Sequence, residues 1–258
     1  MNQEPLISVV IPVRNGAPFV ASAMASVLGQ NYGNLEVLLV DDGSTDGLSG
    51  RLEHYREFVR YIRQEQRGQA AARNHGIRES AGSLVAFLDI DDLWTHSHLS
   101  SLRRSLDETP QAGIAQGAMR QFWAAPGGKY KRSAPYRMPY LGSCLFRREV
   151  FRECGLFAES MPYGEDYDFI FRCWENDIIK VNVATLSLLY RRHPNNLSSG
   201  RNQAAHLLVL KRRIERIRAG VTNPVVARRQ VFQDYIGDLG ALSEASLEEV
   251  NECDLLSP

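Results

Sequence analysis

Apolar runs and amphipathic stretches alternate over the first ninety residues of the chain. Apolar side chains at helical spacing predict a helix over residues 17–30, and an Ala-rich stretch predicts another over residues 67–82. Short apolar runs rich in β-branched residues predict four strands, at residues 6–12, 35–40, 58–63 and 84–88. Repetition of strand and helix in this order is typical of an α/β fold, in which helices flank a mostly parallel central sheet.

The pattern changes beyond Trp94, where the alternation weakens. Helices are predicted at residues 96–108, 148–154 and 166–175, and strands or short apolar runs at residues 113–122, 141–146, 178–183 and 187–190. Residues 124–139 are rich in Pro, Gly, Lys and Arg, and this composition predicts a long loop. We expect one or both of this loop and the segment 195–200 to be poorly ordered without a ligand and to close over it.

The last sixty residues predict a separate unit. From residue 203 onward the chain is predicted to be helical, with a break near Asn223–Pro224. The sequence therefore predicts a main domain over residues 1–200 and a helical C-terminal extension over residues 201–258. The extension carries a basic cluster, KRRIERIR, for which anionic lipid, a partner subunit or solvent are alternative neighbours, with a solvated helix face favoured.

Polar segments follow three of the four predicted parallel strands, namely PVRN, DDGS and DIDD. The carboxyl ends of parallel strands lie at one edge of a sheet, and ligands bind there in open α/β sheets. Asp89, Asp91 and Asp92 fall within four residues, and such carboxylates repel one another unless a cation, a helix N-terminus or a donor-rich ligand compensates their charge. The sequence contains neither GxGxxG nor GxxxxGK[ST], which disfavours a dinucleotide fold and a P-loop.

Asp89 and Asp91 are spaced so that they can share a hard cation, or divide between a cation and a sugar hydroxyl. Mg²⁺ and Mn²⁺ prefer oxygen ligands, and Mg²⁺ is often held by one or two carboxylates together with substrate phosphates. The alternative is a solvated turn or a helix N-cap formed by Asp92 or Thr95. We favour the cation because two other strand ends converge on the same edge.

Asp42 and Arg73 each allow two interpretations. Asp42 could accept a hydrogen bond from a nucleobase or a ribose hydroxyl, or lie in a turn where Ser44 or Thr45 caps the next helix. Arg73 could bind phosphate through its planar guanidinium, or form a surface salt bridge.

Two later residues are candidates for chemistry at the same edge. Asp166 follows Glu165 at the start of an amphipathic helix, where it could act as a general base or only stabilise the helix N-terminus. His193 follows the last predicted strand, and could be a metal ligand or a structural side chain.

Composition limits the classes of function. The chain has 258 residues, 44% of them hydrophobic, and its 30 basic residues balance 30 acidic ones, which argues against nonspecific binding to nucleic acid. No apolar run is long enough to span a membrane, and the N-terminus has no signal-peptide pattern. We therefore expect a cytoplasmic protein, in which the four cysteines are reduced thiols.

Six segments occur in the order typical of a known family: SVVIPVRNGAPFV, LLVDDGSTDG, GQAAARNHGI, VAFLDIDD, GEDYDFIFR and YRRHPNNLSS. Together they resemble glycosyltransferase family 2, whose members are inverting, nucleotide-sugar-dependent enzymes with the GT-A fold. The resemblance covers residues 7–199. It implies a Rossmann-like nucleotide-binding half followed by an acceptor half.

The resemblance also implies roles for individual residues. Asp166 matches the base that deprotonates the acceptor hydroxyl. The residues implied to bind the nucleotide sugar are Pro12, Arg14, Asp42, Arg73, Asp89 and Asp91. The residues implied to hold a Mg²⁺ or Mn²⁺ cofactor are Asp91, Asp92 and His193.

By the same resemblance, the reaction is metal-dependent transfer of a sugar from a nucleoside-diphosphate sugar, with UDP favoured, to a glycan, lipid-linked or protein acceptor. RCWEND stands where processive synthases have QxxRW, so we expect a non-processive enzyme. We expect it to act in bacterial surface or secondary glycan synthesis. Peripheral contact with the inner face of the membrane is an open alternative. One alternative is a sugar nucleotidyltransferase, which PVRNGAPF disfavours because it has one Gly and one Arg. The other is a catalytically inactive nucleotide-binding scaffold, which the intact acids disfavour.

Overall fold

A sheet of ten strands forms the centre of the computed structural model, which describes residues 4–194, 196, 202–221, 230–237 and 247–251. The strands are β1 (Ile7–Val13), β2 (Leu35–Asp42), β3 (Val59–Gln64), β4 (Leu84–Phe87), β5 (Leu93–Trp94), β6 (Ala112–Ala124), β7 (Tyr130–Arg132), β8 (Cys144–Arg147), β9 (Ile179–Arg192) and β10 (Glu248–Val250). The helices are α1 (Val20–Leu28), α2 (Leu48–Arg51), α3 (Gln69–Glu79), α4 (His98–Glu108), α5 (Glu149–Glu153), α6 (Glu165–Glu175), α7 (Asn202–Arg218) and α8 (Phe232–Ile236). Short 3₁₀ turns cover Glu53–Tyr55, Pro126–Gly128 and Leu141–Ser143.

The N-terminal half of the sheet is parallel, as the sequence predicts, with the strand order β3–β2–β1–β4. All seven residues of β1 are buried, because α1 packs against one face of the strand and α3 against the other. At Gly76 of α3 a Cβ atom would lie 2.4 Å from Val10 Cγ1, so the helix sits directly on the strand. This close packing places the start of α3 at the carboxyl ends of β1 and β2.

The second half of the sheet is largely antiparallel. β8 joins β4 and β6 joins β8 in antiparallel pairs, whereas β9 runs parallel to β6. The two strands predicted at residues 178–183 and 187–190 are one continuous strand, β9, and register shifts against β6 fall in and next to the interval between them. β9 also pairs with β5, directly after the acidic segment, and so delivers its last residues to the same edge of the sheet.

Residues 124–139 are not the structureless loop that their composition predicts. Pro126–Gly128 forms a 3₁₀ turn, β7 pairs with β6, and Tyr136 forms an isolated bridge with Met119. Gly and Pro are here the turn residues of a hairpin, and most of the basic residues lie on or beside its short second strand. The other half of the mobility prediction concerns residues 195 and 197–200, which lie outside the described residues.

The C-terminal extension is helical only in part. β10 is a strand that pairs antiparallel with β7, so the prediction of a wholly helical extension is wrong. Tyr235 and Ile236 of α8 are buried in a core that also contains residues of α5 and α6. The predicted break at Asn223–Pro224 lies outside the described residues. The boundary at residue 200 stays a prediction, and the described parts on its two sides pack against each other.

The basic cluster of the extension is not the solvated face that the sequence favours. Arg212 and Arg216 pair with Asp168 of α6 at 3.3 and 2.8 Å. Arg213 and Arg216 pair with Glu175 of the same helix at 3.1 and 2.8 Å. Both acids are buried, so these ion pairs fix α7 to α6. Among the described helices, α7 included, none has the length and apolar content that crossing a membrane requires.

Candidate active site

Hydrogen bonds join the ends of the first two strands into one rim. The backbone amide of Asn15 donates to Ser44 Oγ at 2.9 Å, and the side-chain oxygen Oδ1 of Asn15 accepts from the backbone amide of Thr45 at 2.8 Å. The Ala17 amide donates to Asp46 Oδ2 at 2.8 Å. Asn15 has a φ of 53°, in the left-handed region that Asn tolerates better than most residues. Ser44 and Thr45 therefore hold the first loop, and neither side chain caps α2.

Asp41 is a buried structural acid beneath this rim. Its carboxylate accepts hydrogen bonds from the Ser44 amide at 2.7 Å, the Tyr61 hydroxyl at 2.5 Å and Arg63 Nη1 at 2.9 Å. Burial by itself raises the pKa of Asp41, but the hydrogen bonds and the charge of Arg63 together lower it below its ordinary value. The side chain therefore stays ionised and fixes the end of β2.

Asp42 shapes the turn that leads into α3. Its Oδ1 accepts from Gln64 Nε2 at 2.8 Å and from the Arg67 amide at 2.7 Å, and its Oδ2 accepts from the Gly68 amide at 2.8 Å. Gly68 has a φ of 95°, a conformation that favours glycine. The prediction that Asp42 contacts the nucleotide stays a prediction, and in this structure the carboxylate serves the turn.

Arg73 connects the end of β4 with the start of α6. Its Nη2 donates to Asp89 Oδ1 at 2.8 Å, and its Nη1 donates to Glu165 Oε1 at 2.5 Å. The residue is only 3% exposed, so this is not the surface salt bridge that the sequence allows. Burial by itself lowers the pKa of Arg73, but the charges of Asp89 and Glu165 raise it above its ordinary value, which keeps the guanidinium charged.

Asp91 and His193 meet at the rim, although 102 residues separate them. His193 Nε2 lies 2.9 Å from Asp91 Oδ2, and the imidazole stacks on Phe19 with ring centroids 5.0 Å apart. Asn196 supports both residues, because its Oδ1 accepts from the His193 amide at 2.6 Å and its Nδ2 donates to Asp91 at 3.3 Å. The side chains of Asp91 and His193 are 23% and 18% exposed, so a ligand at the rim can reach both.

Asp92 has a different environment from the other two acids of the segment. It is fully buried, its Oδ1 accepts from the Arg191 amide at 2.9 Å, and its Oδ2 lies 2.8 Å from the Tyr140 hydroxyl. The same hydroxyl lies 3.0 Å from Asp89 Oδ2. Burial, together with the charges of Asp91 and Asp89, raises the pKa of Asp92 well above its ordinary value. Asp92 therefore fastens β9 and Tyr140 to the acidic segment.

Asp166 lies in the first turn of α6, directly after Glu165. Its Oδ1 accepts from the Tyr167 amide at 2.8 Å, whereas Glu165 is held by Arg73. Burial raises the pKa of Asp166 to about 7, the charge of Glu165 adds to this rise, and the charge of Arg73 opposes it. A carboxylate whose pKa lies near neutrality is suited to accept a proton at pH 7.

The remaining predicted residues lie at the same edge. Pro12 is buried near the end of β1, paired with Val40 of β2, and Arg14 is exposed immediately beyond the strand. The structure thus brings the predicted nucleotide-binding residues and Asp166 to one edge of the sheet. It does not bring the three predicted metal ligands to one point, because both oxygens of Asp92 are turned toward protein groups.

Residues of this edge that are absent from the sequence-based set include Asn15, Gln69 and Tyr140. Gln69 Nε2 donates to Asp89 Oδ1 at 2.9 Å and opens the Ala-rich helix. The Asn–Gly pair after PVR is a turn signal that could have pointed to Asn15. Tyr140 has no such signal, because it comes from the antiparallel half of the fold.

The donor set at the rim fits a hard divalent cation. Within the described residues, no three His, Cys, Asp or Glu side chains form a group that could hold a metal ion. Asp91 offers a carboxylate oxygen, which suits Mn²⁺ or Mg²⁺, and His193 offers an imidazole nitrogen, which is a common metal ligand when neutral. Two protein ligands are sufficient for a cation that takes its other ligands from water and substrate phosphates.

Comparison with known proteins identifies the family. The family model for glycosyl transferase family 2 matches residues 8–158, more than half of the chain. The chain belongs to glycosyltransferase family 2. Among the relatives of this family 2 protein, an uncharacterized glycosyltransferase of Rickettsia typhi is 30% identical over 185 residues, which cover 65% of this chain and 58% of the relative. The uncharacterized glycosyltransferase EpsJ of Bacillus subtilis is 28% identical over 218 residues, which cover 75% of this chain and 63% of EpsJ. The chain thus spans about three fifths of the length of these relatives.

Solved structures share the fold of this family 2 protein. S. aureus TarS 1–349, in complex with UDP-GlcNAc, is 20% identical, with a TM-score of 0.66 and coverage of 79% of this chain and 65% of that chain. The mannosyltransferase PcManGT of Pyrobaculum calidifontis, in complex with GDP-Man and Mn²⁺, is 20% identical, with a TM-score of 0.66 and coverage of 86% of this chain and 67% of that chain. These similarities confirm the predicted GT-A fold.

Proposed function

We propose that this chain is an inverting, metal-dependent glycosyltransferase, of the hexosyl or hexosaminyl class, that uses a nucleoside-diphosphate sugar. The observation that carries the proposal is the convergence of Asp89 and Glu165 on buried Arg73, next to Asp166, a carboxylate of raised pKa. UDP is the favoured nucleotide, since TarS 1–349 binds UDP-GlcNAc, while the complex of PcManGT with GDP-Man keeps GDP open. The acceptor is a hydroxyl of a glycan, a lipid-linked intermediate or a protein, and transfer is non-processive.

In this proposal the donor occupies the edge formed by β1, β2 and β4. Pro12 and Arg14 face the nucleobase and ribose, with Asp42 at the turn beside them. Both terminal nitrogens of Arg73 are already engaged, so Arg73 acts by orienting Asp89 and not by binding phosphate. This assignment changes the role implied by resemblance, because Arg73 is buried and both of its terminal nitrogens donate to protein carboxylates.

Asp91 and His193 would hold Mg²⁺ or Mn²⁺. When bound, the metal neutralises the charge that develops on the nucleoside-diphosphate leaving group. Asn196 and Phe19 fix the imidazole, and second contacts of this kind set the orientation of a ligating histidine. We leave Asp92 out of the ligand set, because its oxygens are used by the Arg191 amide and Tyr140.

The transfer step needs one proton acceptor. The acceptor oxygen attacks the anomeric carbon on the face opposite the diphosphate, and Asp166 takes the hydroxyl proton as the new C–O bond forms. The bond from the anomeric carbon to the phosphate oxygen breaks at the same time, and its electron pair leaves with the nucleoside diphosphate. A single displacement inverts the anomeric configuration. Glu165 is less suited to this role because Arg73 already holds it at 2.5 Å.

Thermal-shift screening of nucleoside diphosphates, with and without Mn²⁺, followed by turnover assays tests the proposal. A ligand that binds the native state at 100 times its Kd stabilises it by about 2.7 kcal/mol, so the correct nucleotide should stand out. Sugar transfer from the matching nucleotide sugar would support the proposal. Release of pyrophosphate from a nucleoside triphosphate and a sugar 1-phosphate would indicate the nucleotidyltransferase instead. Nucleotide binding without turnover of any donor would indicate an inactive scaffold.

Asp91→Ala is expected to make donor affinity independent of Mn²⁺ while the fold stays intact. The carboxylate is partly exposed, and its removal takes away one of two proposed metal ligands. Calorimetry of donor binding with and without Mn²⁺ checks this result. Asp107→Ala, which removes an exposed carboxylate on α4, is the matched control. Unchanged Mn²⁺-dependent affinity in Asp91→Ala would contradict the assignment.

The pH dependence of kcat/KM is expected to show an acidic limb near pH 7. Asp166 must be ionised to accept a proton, and its pKa is raised to about 7 in the ligand-free chain, so activity should fall as pH drops through that value. The profile of kcat/KM measures this group in the free enzyme. The residual activity of Asp166→Asn should lack the limb, and a limb that persists there would assign it to another group.

A further inference from the structure

Aromatic and basic side chains form a row across one face of the sheet, near the ends of β6, β7 and β9. Trp123 of β6 lies opposite Arg192 of β9 and opposite Lys131 of β7. Two residues earlier, Gln121 of β6 lies opposite Tyr190 of β9. Residues directly opposite each other on neighbouring strands point to the same face, and so do residues two apart on one strand. All five side chains therefore share one face.

Contacts identify this face as the one that carries the donor site. The Tyr190 ring packs edge-on against the Tyr140 ring, with centroids 5.2 Å apart, and the Tyr140 hydroxyl lies 3.0 Å from Asp89. The alternating residues Phe122 and Leu189 point to the opposite face, where they form a small separate core. A continuous path of side chains thus leads from the acidic segment toward Trp123.

Asp166 lies beside the same path. Tyr136 extends the aromatic row, because its hydroxyl accepts from Gln121 Nε2 at 2.6 Å. Tyr167, the residue after Asp166, has a pKa raised first by burial and then by the charges of Asp166, Tyr136 and Tyr190, so it lies near these groups. Tyr136 and Tyr167 are both half-buried, and Tyr167 is next to the proposed base in the chain.

The two basic residues opposite Trp123, Arg192 and Lys131, differ in whether an acid lies near them. The Arg192 guanidinium lies 5.8 Å from the centroid of the Tyr190 ring, and it forms no ion pair with an acid among the described residues. Lys131 lies opposite exposed Glu249 of β10 on the same face, so the charge of Lys131 is offset by a neighbouring carboxylate. Arg192 is therefore the cation of this row that can receive an anion from a ligand.

We infer that the half-buried part of this face, from Tyr136 and Gln121 to Trp123, binds an acceptor glycan whose outer sugar carries an anionic group that Arg192 receives, while buried Tyr190 supports this surface from the core. The inference rests on the proposed function and adds to it the chemical class of the acceptor. Aromatic rings present apolar faces to the C–H faces of pyranose sugars, while Gln121 and the phenol groups offer hydrogen bonds to hydroxyls. One two-residue step along a strand is about 6.6 Å, so the half-buried side chains of Gln121 and Trp123 leave room for a second sugar ring. The anion is a carboxylate or a phosphate, either of which Arg binds in the same way.

Binding of the full, fluorescently labelled chain to a glycan array tests the inference. The array is probed twice, once with the nucleotide-free chain and once with Mn²⁺ and the nucleotide that stabilises the chain most. The array carries matched sets, each with a neutral oligosaccharide, its uronate and its phosphate. Anionic members are expected to bind about tenfold more strongly than their neutral counterparts, because a hydrogen bond from Arg192 to a charged group provides a gain in affinity of this size. Arg192→Gln should remove this preference without changing nucleotide affinity. Trp123→Ala should weaken binding of all members, and Arg104→Gln at an exposed site on α4 is the matched control.

Three outcomes would overturn the inference. Equal binding of neutral and anionic members would remove the anionic class. The absence of glycan binding by a chain that binds its nucleotide would remove the glycan and leave the proposed function in place. Loss of nucleotide affinity in Arg192→Gln would place Arg192 in the donor site. Failure of every nucleotide to bind would instead count against the proposed function, and the nucleotide-free array would still decide the inference.

Discussion

Asp166→Asn is expected to lower kcat by at least about a hundredfold, within the range that a general base contributes. The substitution keeps the size of the side chain and an oxygen for the Tyr167 amide, but it removes the group that takes the acceptor proton. Donor affinity should remain nearly unchanged, because the residues proposed to hold the nucleotide and metal lie at the ends of β1, β2 and β9 and in the segment after β4. Steady-state kinetics and calorimetric titration of the nucleotide measure the two quantities separately.

The alternative role of Asp166, stabilisation of the helix N-terminus, makes a different prediction. Asn caps helices as well as Asp does, so turnover should survive the substitution if capping is the only role. Asp107→Asn on α4 is the control for a surface carboxylate converted to an amide. Turnover close to that of the unsubstituted chain would remove Asp166 from the mechanism. Glu165 would then be the next candidate, because Asp168 is fully buried among arginines.

Arg216→Met is expected to lower the free energy of unfolding by about 3 kcal/mol, the lower end of the cost of breaking a buried ion pair. The Arg216 side chain is 14% exposed, and it pairs with Asp168 and Glu175, whose side chains are 0% and 1% exposed. Methionine keeps much of the side-chain volume but removes one positive charge that compensates the negative charges of Asp168 and Glu175. Other arginines remain near the two acids, which is why we expect the lower end of the range.

Urea unfolding of Arg216→Met beside Arg218→Met gives the comparison. Arg218 is exposed on the same helix, so its substitution controls for loss of a charge and for helix propensity. The pH dependence gives a second check. Burial by itself raises the pKa of Asp168, but the arginine charges lower it below its ordinary value. The ion pairs of Asp168 therefore stabilise the fold above about pH 4, and this stabilisation is lost as the pH falls further. The stability difference between the two variants should therefore shrink in acid, and equal effects of both substitutions at neutral pH would contradict the role of α7.

The parallel half of the fold is well predicted because its signals are local. β1 is a short apolar run that helices cover on both faces, and the turn segments after β1 and β2 are visible in the sequence. The antiparallel half depends on partners that are distant in the chain. β9 reads as two strands until β6 supplies the register shifts, and β10 is a three-residue segment with two exposed Glu residues that becomes a strand only beside β7.

The candidate site divides in the same way. Asp89, Asp91 and Asp166 stand out in the sequence because carboxylates are unusual at the ends of buried segments. The roles of Asp92 and Arg73 cannot be recognised in the sequence, because each depends on groups brought from elsewhere in the fold. Asp92 meets the Arg191 amide 99 residues later in the chain, and Arg73 meets Glu165 92 residues later. Sequence motifs thus locate the acids, but only tertiary contacts decide which of them remain available to a ligand.

The pairing of β10 with β7 sets an order in which the fold can be completed during synthesis. Arg132 of β7 contacts Glu248 of β10 at 3.0 Å, and the two residues are 116 positions apart along the chain. Ribosomes add about 5–20 residues per second, so β7 waits roughly 6–23 s for its partner. During that time the outer edge of β7 presents unpaired backbone groups, and an open strand edge is a template for pairing with other chains. Nascent chains that stop short of residue 248 therefore expose this edge, and its three-residue length and its two basic side chains limit pairing with other chains until β10 covers it.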